Sequence, residues 1–241
     1  MLRESIIDRD GMKQKPLNQN GEPRPVRRVP RGDVRRMELA DVAEQVFLER
    51  GFANTTMQMI ASRAGGSKET LYRHFASKEA LFAEIIGRKA ARISGPESAL
   101  ARDGTPEEAL FELGHTLLSL MTRSDTSSLF RVVVAEAPRS PELAAIFYAH
   151  GPGVTLQRLT DYLRTATRRG DLHCQQPLRA AKLFLGAVVA QHHLQSLIGQ
   201  PPTPVSEAEI QEHVRAAIAM FLARYGPRPE EPKSGRADGS D

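Results

Sequence analysis

Residues 51–82 read GFANTTMQMIASRAGGSKETLYRHFASKEALF, and the punctuation of this stretch decides the fold. Thr55 stands three residues before Gln58, a Thr-x-x-Gln pattern that predicts a capped helix start. Ile60, Ala61 and Ala64 recur at helical spacing, and Gly65-Gly66 then supply the backbone freedom needed to leave the helix. Ser67 is predicted to cap a second helix, Lys68 to Phe75, in which Leu71 and Phe75 lie four apart and face a core. That arrangement turns Lys68, Glu69, Thr70, Tyr72, Arg73 and His74 outward. They are cations, hydroxyls and one carboxylate, suited to phosphates and base edges in a major groove. Ser77 caps a further helix through Leu81 and Ile85, with Glu79 in the first turn where the helix dipole favours an acid. Two short helices joined by a glycine turn, the second decorated in this way, are the sequence pattern of a helix-turn-helix.

These residues carry a resemblance. From Leu39 to Phe82 the chain resembles the DNA-binding domain of the TetR/AcrR family of transcriptional regulators, whose usual string is "TM..IA..AGVSKGTLYRHF.SKEALF". Leu39, Ala43, Val46 and Phe47 match the apolar face of that family's first helix, and Gly51-Phe52 matches its closing Gly-aromatic pair. The resemblance implies phosphate contacts at Thr56, Ser67, Tyr72, His74 and Lys78, and positions near base edges for Lys68, Glu69, Thr70 and Arg73. Three residues depart from the pattern: Gly66 replaces an apolar turn residue, Met59 a common acid, and Glu69 a small residue. A carboxylate at Glu69 has three readings: it repels phosphates, accepts from a cytosine amino group, or steadies its own helix.

Upstream, residues 1–32 read as a basic arm. Arg3, Arg9, Lys13, Lys15, Arg24, Arg27, Arg28 and Arg31 outnumber the acids, and Pro16, Pro23, Pro25 and Pro30 interrupt a stretch with little apolar periodicity. Such a segment is expected to be flexible. Either it lies along DNA, with Arg27, Arg28, Arg35 and Arg36 nearest the first helix, or it is a solvated tail; Met12 is an alternative start. The helix-turn-helix domain is placed at 33–88.

Downstream, Ser94-Gly95-Pro96 and Asp103-Gly104 break the pattern before a second, larger helical domain at 105–225. Thr105-Pro106-Glu107-Glu108 is a capped start with proline at the first position, followed by Leu110, Leu113, Leu117 and Leu120. Further helices are predicted over Leu129 to Ala137, from Ser140-Pro141 to Gly151, and from Val154 to Gly170. The last two run over Leu178 to Ile198 and Glu207 to Tyr225, with Ser206 and Glu209 as a second capping box. Residues 226–241 are Pro-, Gly- and charge-rich and are expected to be disordered. The fold class is therefore all-α, an N-terminal three-helix helix-turn-helix domain plus a larger C-terminal helical domain.

Leu183, Phe184, Ala187, Val188, Gln191 and Leu194 in one helix, and Ile210, Val214, Ala217, Ile218 and Phe221 in the other, give more apolar surface than one side of a helix needs. The surplus suggests a partner. The resemblance implies a four-helix bundle across a two-fold axis, a homodimer through the last two helices, which presents two recognition helices to a palindromic double-stranded operator. The segment from Phe130 to Glu136, with Pro141-Glu142-Leu143 and Phe147-Tyr148, is similar to a subgroup of the family's C-terminal domains, implying an effector-binding core. Candidate pocket residues are Phe111, His115, Phe130, Phe147, Tyr148, Phe184 and His192, each also readable as ordinary core; the set suits a small hydrophobic effector.

Composition is compatible with a polyanionic partner: 33 Lys and Arg against 29 Asp and Glu leave a net charge of +4. The longest apolar run, Leu183 to Ala190, is too short to span a bilayer, and no secretory leader is recognisable, so a cytoplasmic protein without membrane partner is expected. With Cys174 alone, no intrachain disulfide forms. His173-Cys174 lack an accompanying acid or oxyanion pattern, and His192-His193 lack an i, i+4 ligand, so neither catalysis, metal nor cofactor is expected. The competing class is a small-molecule-binding or scaffold protein with an idle helix-turn-helix. A ligand-responsive regulator, in the repressor role usual for the family, is the reading the sequence favours.

Overall fold

Ten α-helices and no strand occur among the residues described by the computed structural model, 31–197 and 205–227. They are α1 (Arg31–Arg50), α2 (Met57–Arg63), α3 (Lys68–His74), α4 (Lys78–Ser94), α5 (Pro106–Met121), α6 (Ser124–Glu136), α7 (Pro141–His150), α8 (Pro152–Arg169), α9 (Pro177–Leu197) and α10 (Glu207–Tyr225). Met12, Arg27 and Arg28, the break at 199–204 and the chain beyond 227 lie outside the described residues. The described residues fall into two units, 31–37 and 38 onward. The first is the opening of α1, and the second holds the remainder of the described chain.

The helix starts follow from short polar side chains. Ser67, Ser77, Thr105 and Ser206 each accept a hydrogen bond from the amide three residues on, and Glu108 and Glu209 return the bond at α5 and α10. A cap of this kind is worth about 1 kcal/mol. One start differs from the expected register. Thr56, not Thr55, caps α2, its hydroxyl accepting from the Met59 amide at 3.2 Å. Thr55 is buried and donates to the Gly51 carbonyl at 2.7 Å, while Gln58 reaches Ser62, so no capping box forms. The side chain with an internal acceptor goes inward, and its neighbour takes the cap. At the turn, Gly65 has φ +63°, a left-handed conformation that favours glycine.

Helix α6 also starts earlier than the apolar pattern suggests, at Ser124 instead of Leu129. Its N-cap, Arg123, makes no side-chain capping bond.

Two apolar clusters organise the larger unit. One gathers Phe47, Phe52 and Phe82, with ring centroids 5.2, 5.5 and 5.9 Å apart, together with Leu39, Ile60, Leu71 and Phe75. Leu129, Val133 and Leu143 of α6 and α7 join it, so the helix-turn-helix shares its core with helices further along the chain. The other cluster packs α5, α8, α9 and α10 around Leu110, Leu118, Leu159, Phe184, Val188 and Val214. Helices α5 and α10 approach closely at Gly114, where an added Cβ would meet Val214 Cγ1 at 2.9 Å.

The apolar surplus expected on the last two helices divides unequally. Phe184 and Val188 of α9, and all five residues named on α10, are buried in the chain's own core. Leu183, Ala187, Gln191 and Leu194 are exposed, and Met220 on α10 joins them.

Candidate nucleic-acid interface and effector cavity

Helix α3 is held by its apolar side and offers the other. Leu71 and Phe75 are buried at 0% and 2% exposure, while Lys68, Glu69, Tyr72 and Arg73 are exposed and Thr70 and His74 half-buried. Lys68 Nζ lies 5.6 Å from the centroid of the Tyr72 ring, a cation–π pair on the outward face. Thr56 and Ser67 stand at the N-termini of α2 and α3. Each hydroxyl oxygen is used as a cap acceptor, and the Ser67 hydroxyl also shares a hydrogen bond with the Thr70 hydroxyl at 3.0 Å. Glu69 sits in the first turn of α3. Arg35 and Arg36 occupy the early turns of α1, in helix rather than in an arm.

Lys78 has an occupation that the sequence does not suggest. Its ammonium donates to the Phe52 carbonyl at 2.8 Å and the Thr55 carbonyl at 3.0 Å, and rests 4.2 Å from the Phe52 ring centroid. The side chain thus ties the first residue of α4 to the turn between α1 and α2. Arg63–Glu49 and Arg88–Asp41 further link α2 and α4 to α1 at 2.7 and 2.8 Å. The Arg63 hydrogen bond, with its charge, holds the Glu49 carboxyl below the usual range.

A cavity of about 260 Å³ lies among α4, α5, α6, α7, α8 and α9. Its walls are mostly apolar, formed by Ile86, Ala90 and Ile93 of α4, Leu117, Leu120 and Met121 of α5, and Leu129 and Phe130 of α6. Phe147 of α7 and Leu185 and Val189 of α9 complete them. Phe130 and Phe147, whose rings are 5.8 Å apart, are the two candidates from the sequence that line it. The others lie elsewhere. Phe111 stacks on His115 at 5.8 Å beneath the Arg215 guanidinium, and His115 bonds Glu207 at 2.6 Å, forming a joint between α5 and α10. Phe184 packs edge-on against Phe221 in the core, and Tyr148 is 56% exposed. The side chain of His192 is outside the described residues. Aromatic character alone selects this set, and it cannot distinguish a cavity wall from a core contact or a surface joint.

The polar residues lining the cavity are missed by that criterion: Lys89 of α4, Thr126 and Ser127 of α6, and Thr155 of α8. Reading α6 from Ser124 places Thr126 and Phe130 four apart on one face, and that is the signal that finds Thr126. Lys89, with its side chain 16% exposed, meets Glu44 of α1 at 2.8 Å and Asp125 at 3.5 Å. Burial pushes the Asp125 carboxyl up, but the Arg123 hydrogen bond and then the Lys89 charge pull it below the usual range. Cys174 is buried, its thiol pushed up by that burial, and it lies outside this cavity. Among the described residues no helix is long and apolar enough to cross a membrane.

Comparison with known proteins agrees with this arrangement. Residues 39–85 match the family "bacterial regulatory proteins, tetR family", and residues 108–227 match the "AefR-like transcriptional repressor, C-terminal domain". The HTH-type transcriptional regulator UidR of Escherichia coli K12 is 28% identical over 141 residues, 57% of this chain and 68% of that protein. Among solved structures, a TetR-family regulator from Mesorhizobium loti superposes with a TM-score of 0.68 at 27% identity, covering 82% of this chain and all of that one. The flavonoid-responsive regulator FrrA superposes at 0.63 with 32% identity over 82% of this chain and all of its own. With both parts matched in order on a shared helical fold, the chain belongs to the TetR family of bacterial transcriptional regulators.

Proposed function

We propose that the protein is a cytoplasmic repressor that binds a palindromic operator as a homodimer and leaves it when a small hydrophobic molecule occupies the cavity bounded by α4 and α6. The observation that carries the reading is α3 itself. A capped helix is anchored by Leu71 and Phe75, so that Lys68, Thr70, Tyr72, Arg73 and His74 face outward in a block, with the hydroxyls of Thr56 and Ser67 at adjoining helix ends. Cations and hydroxyls so placed position phosphates, and those nearest the bases supply sequence preference. Glu69, in the first turn, steadies the helix. Lys78 is read as a positioning residue that sets the turn against α4, because its ammonium is already held by two carbonyls.

A second copy fits the exposed stripe of α9 and α10. Leu183, Leu194 and Met220 are 57%, 55% and 64% exposed, and Ala187, Ala190, Ala216, Ala219 and Ala223 lie between them at helical spacing. Apolar and small side chains permit close helix packing across a two-fold axis, which supplies two recognition helices for two half-sites. Coupling follows from shared elements. The cavity's α4 wall continues to Lys78, which grips the turn before α2, so an effector that binds one pose of α4 better shifts the population of α3 poses. The match to a repressor-type C-terminal domain favours repression, and membership of a regulator family favours this reading over an idle scaffold. The test is fluorescence anisotropy with fragments of the gene's own upstream region at low ionic strength. Wild type should bind one fragment, whereas Tyr72→Ala and Arg73→Ala should lose most of that affinity with unchanged circular dichroism. Failure of wild type to bind any fragment refutes the reading.

A further inference from the structure

The one buried hydroxyl of the cavity wall without a partner defines what the cavity is built to hold. Thr126 is 7% exposed, lines the cavity, and its Oγ1 makes no hydrogen bond. Leaving a buried hydroxyl unsatisfied is unfavourable, and in native proteins such groups point to a missing partner. Its surroundings then select the partner. Lys89 also lines the cavity, and its ammonium is matched by Glu44 and Asp125, the latter in turn paired with Arg123 at 3.1 Å. The Asp125 carboxylate also accepts from the Thr126 amide, which puts that charge network beside the hydroxyl. Two cations and two anions sum to zero. An anionic ligand group would therefore bring an uncompensated charge into an otherwise apolar space, whereas a neutral acceptor takes the hydroxyl proton without that penalty.

Volume sets the size. A cavity of about 150 Å³ accommodates a benzene ring, so 260 Å³ at the same volume per atom holds about ten non-hydrogen atoms. We infer that the cavity takes a neutral, largely apolar molecule of single-ring size, bearing one acceptor oxygen that binds the Thr126 hydroxyl. This deepens the effector reading above and rests on it.

The experiment is isothermal titration calorimetry of the full chain with acetophenone, cumene and benzoate, probes with equal numbers of non-hydrogen atoms. In Thr126→Val the acetophenone affinity relative to that of cumene should fall about five- to tenfold, the effect of losing one neutral hydrogen bond. Thr126→Ser, which keeps the hydroxyl, should stay within about twofold of wild type. Benzoate should bind wild type at least tenfold more weakly than acetophenone. An unchanged acetophenone-to-cumene ratio in Thr126→Val, benzoate binding as tight as acetophenone, or no binding of any probe would each overturn the inference. Operator binding is read separately by anisotropy, so its absence strikes the regulator reading and leaves the calorimetric result standing.

Discussion

Replacing Lys78 with methionine separates two roles that the sequence merges. The stem is kept, while the ammonium that donates to the Phe52 and Thr55 carbonyls and rests on the Phe52 ring is removed. Hydrogen bonds from a charged donor contribute about 1.5–3 kcal/mol each in favourable cases, and a cation–π contact about 0.5–1 kcal/mol. Lys78 is only half-buried, and the Phe52 carbonyl keeps the Thr55 amide as a donor at 3.2 Å. The net loss should thus be near the low end, about 2–3 kcal/mol, or about 4–12 °C in Tm for a chain of this size. Operator affinity should fall as well, because the turn before α2 is released. The slope of log K against log salt should not change, since no phosphate contact is lost. Were Lys78 instead a phosphate ligand, a dimer would lose two contacts and the slope would drop by about 1.8. A Tm within 1 °C of wild type, together with that loss of slope, would refute the positioning role. The assays are a thermal melt and anisotropy titrations from 50 to 300 mM salt, the range about the physiological value.

Other outcomes rest on the same structure. Removing the unpartnered hydroxyl in Thr126→Val should raise the stability of the ligand-free protein by about 1 kcal/mol, measured by urea unfolding; a loss of that size would show that the hydroxyl has a partner in solution. Met220→Glu, which places a charge on the exposed stripe of α10, should convert the dimer to monomer in sedimentation velocity and abolish operator binding while the helix content is retained. Asp125 has a folded pKa below its ordinary value of 3.8, so the stability it contributes is present above that value and is lost as pH falls through the lower folded one. Asp125→Asn should accordingly be less stable than wild type at neutral pH, and the gap between the two acid-unfolding curves should begin to narrow as pH falls below the ordinary value of 3.8; a gap that widens with acid contradicts this sign.

Local chemistry within one or two turns is legible without coordinates. Ser67, Ser77, Thr105 and Ser206 cap the helices where their spacing places them, and Leu71 and Phe75 are buried four residues apart. One local reading fails: the Thr-x-x-Gln spacing favours Thr55 as the cap, but its hydroxyl bonds the Gly51 carbonyl four residues back and goes inward, which leaves the cap to Thr56. Tertiary contacts decide the rest. The apolar residues of α10 read as surplus in the sequence because periodicity does not reveal that α5 and α9 already cover them, with Gly114 admitting Val214 and Phe184 meeting Phe221. Most of all, a cavity is space between helices far apart in the chain. Periodicity assigns a side chain to a face, but only packing decides whether that face meets a neighbour, as at Phe184 and Phe221, or a void, as at Phe130, Thr126 and Lys89.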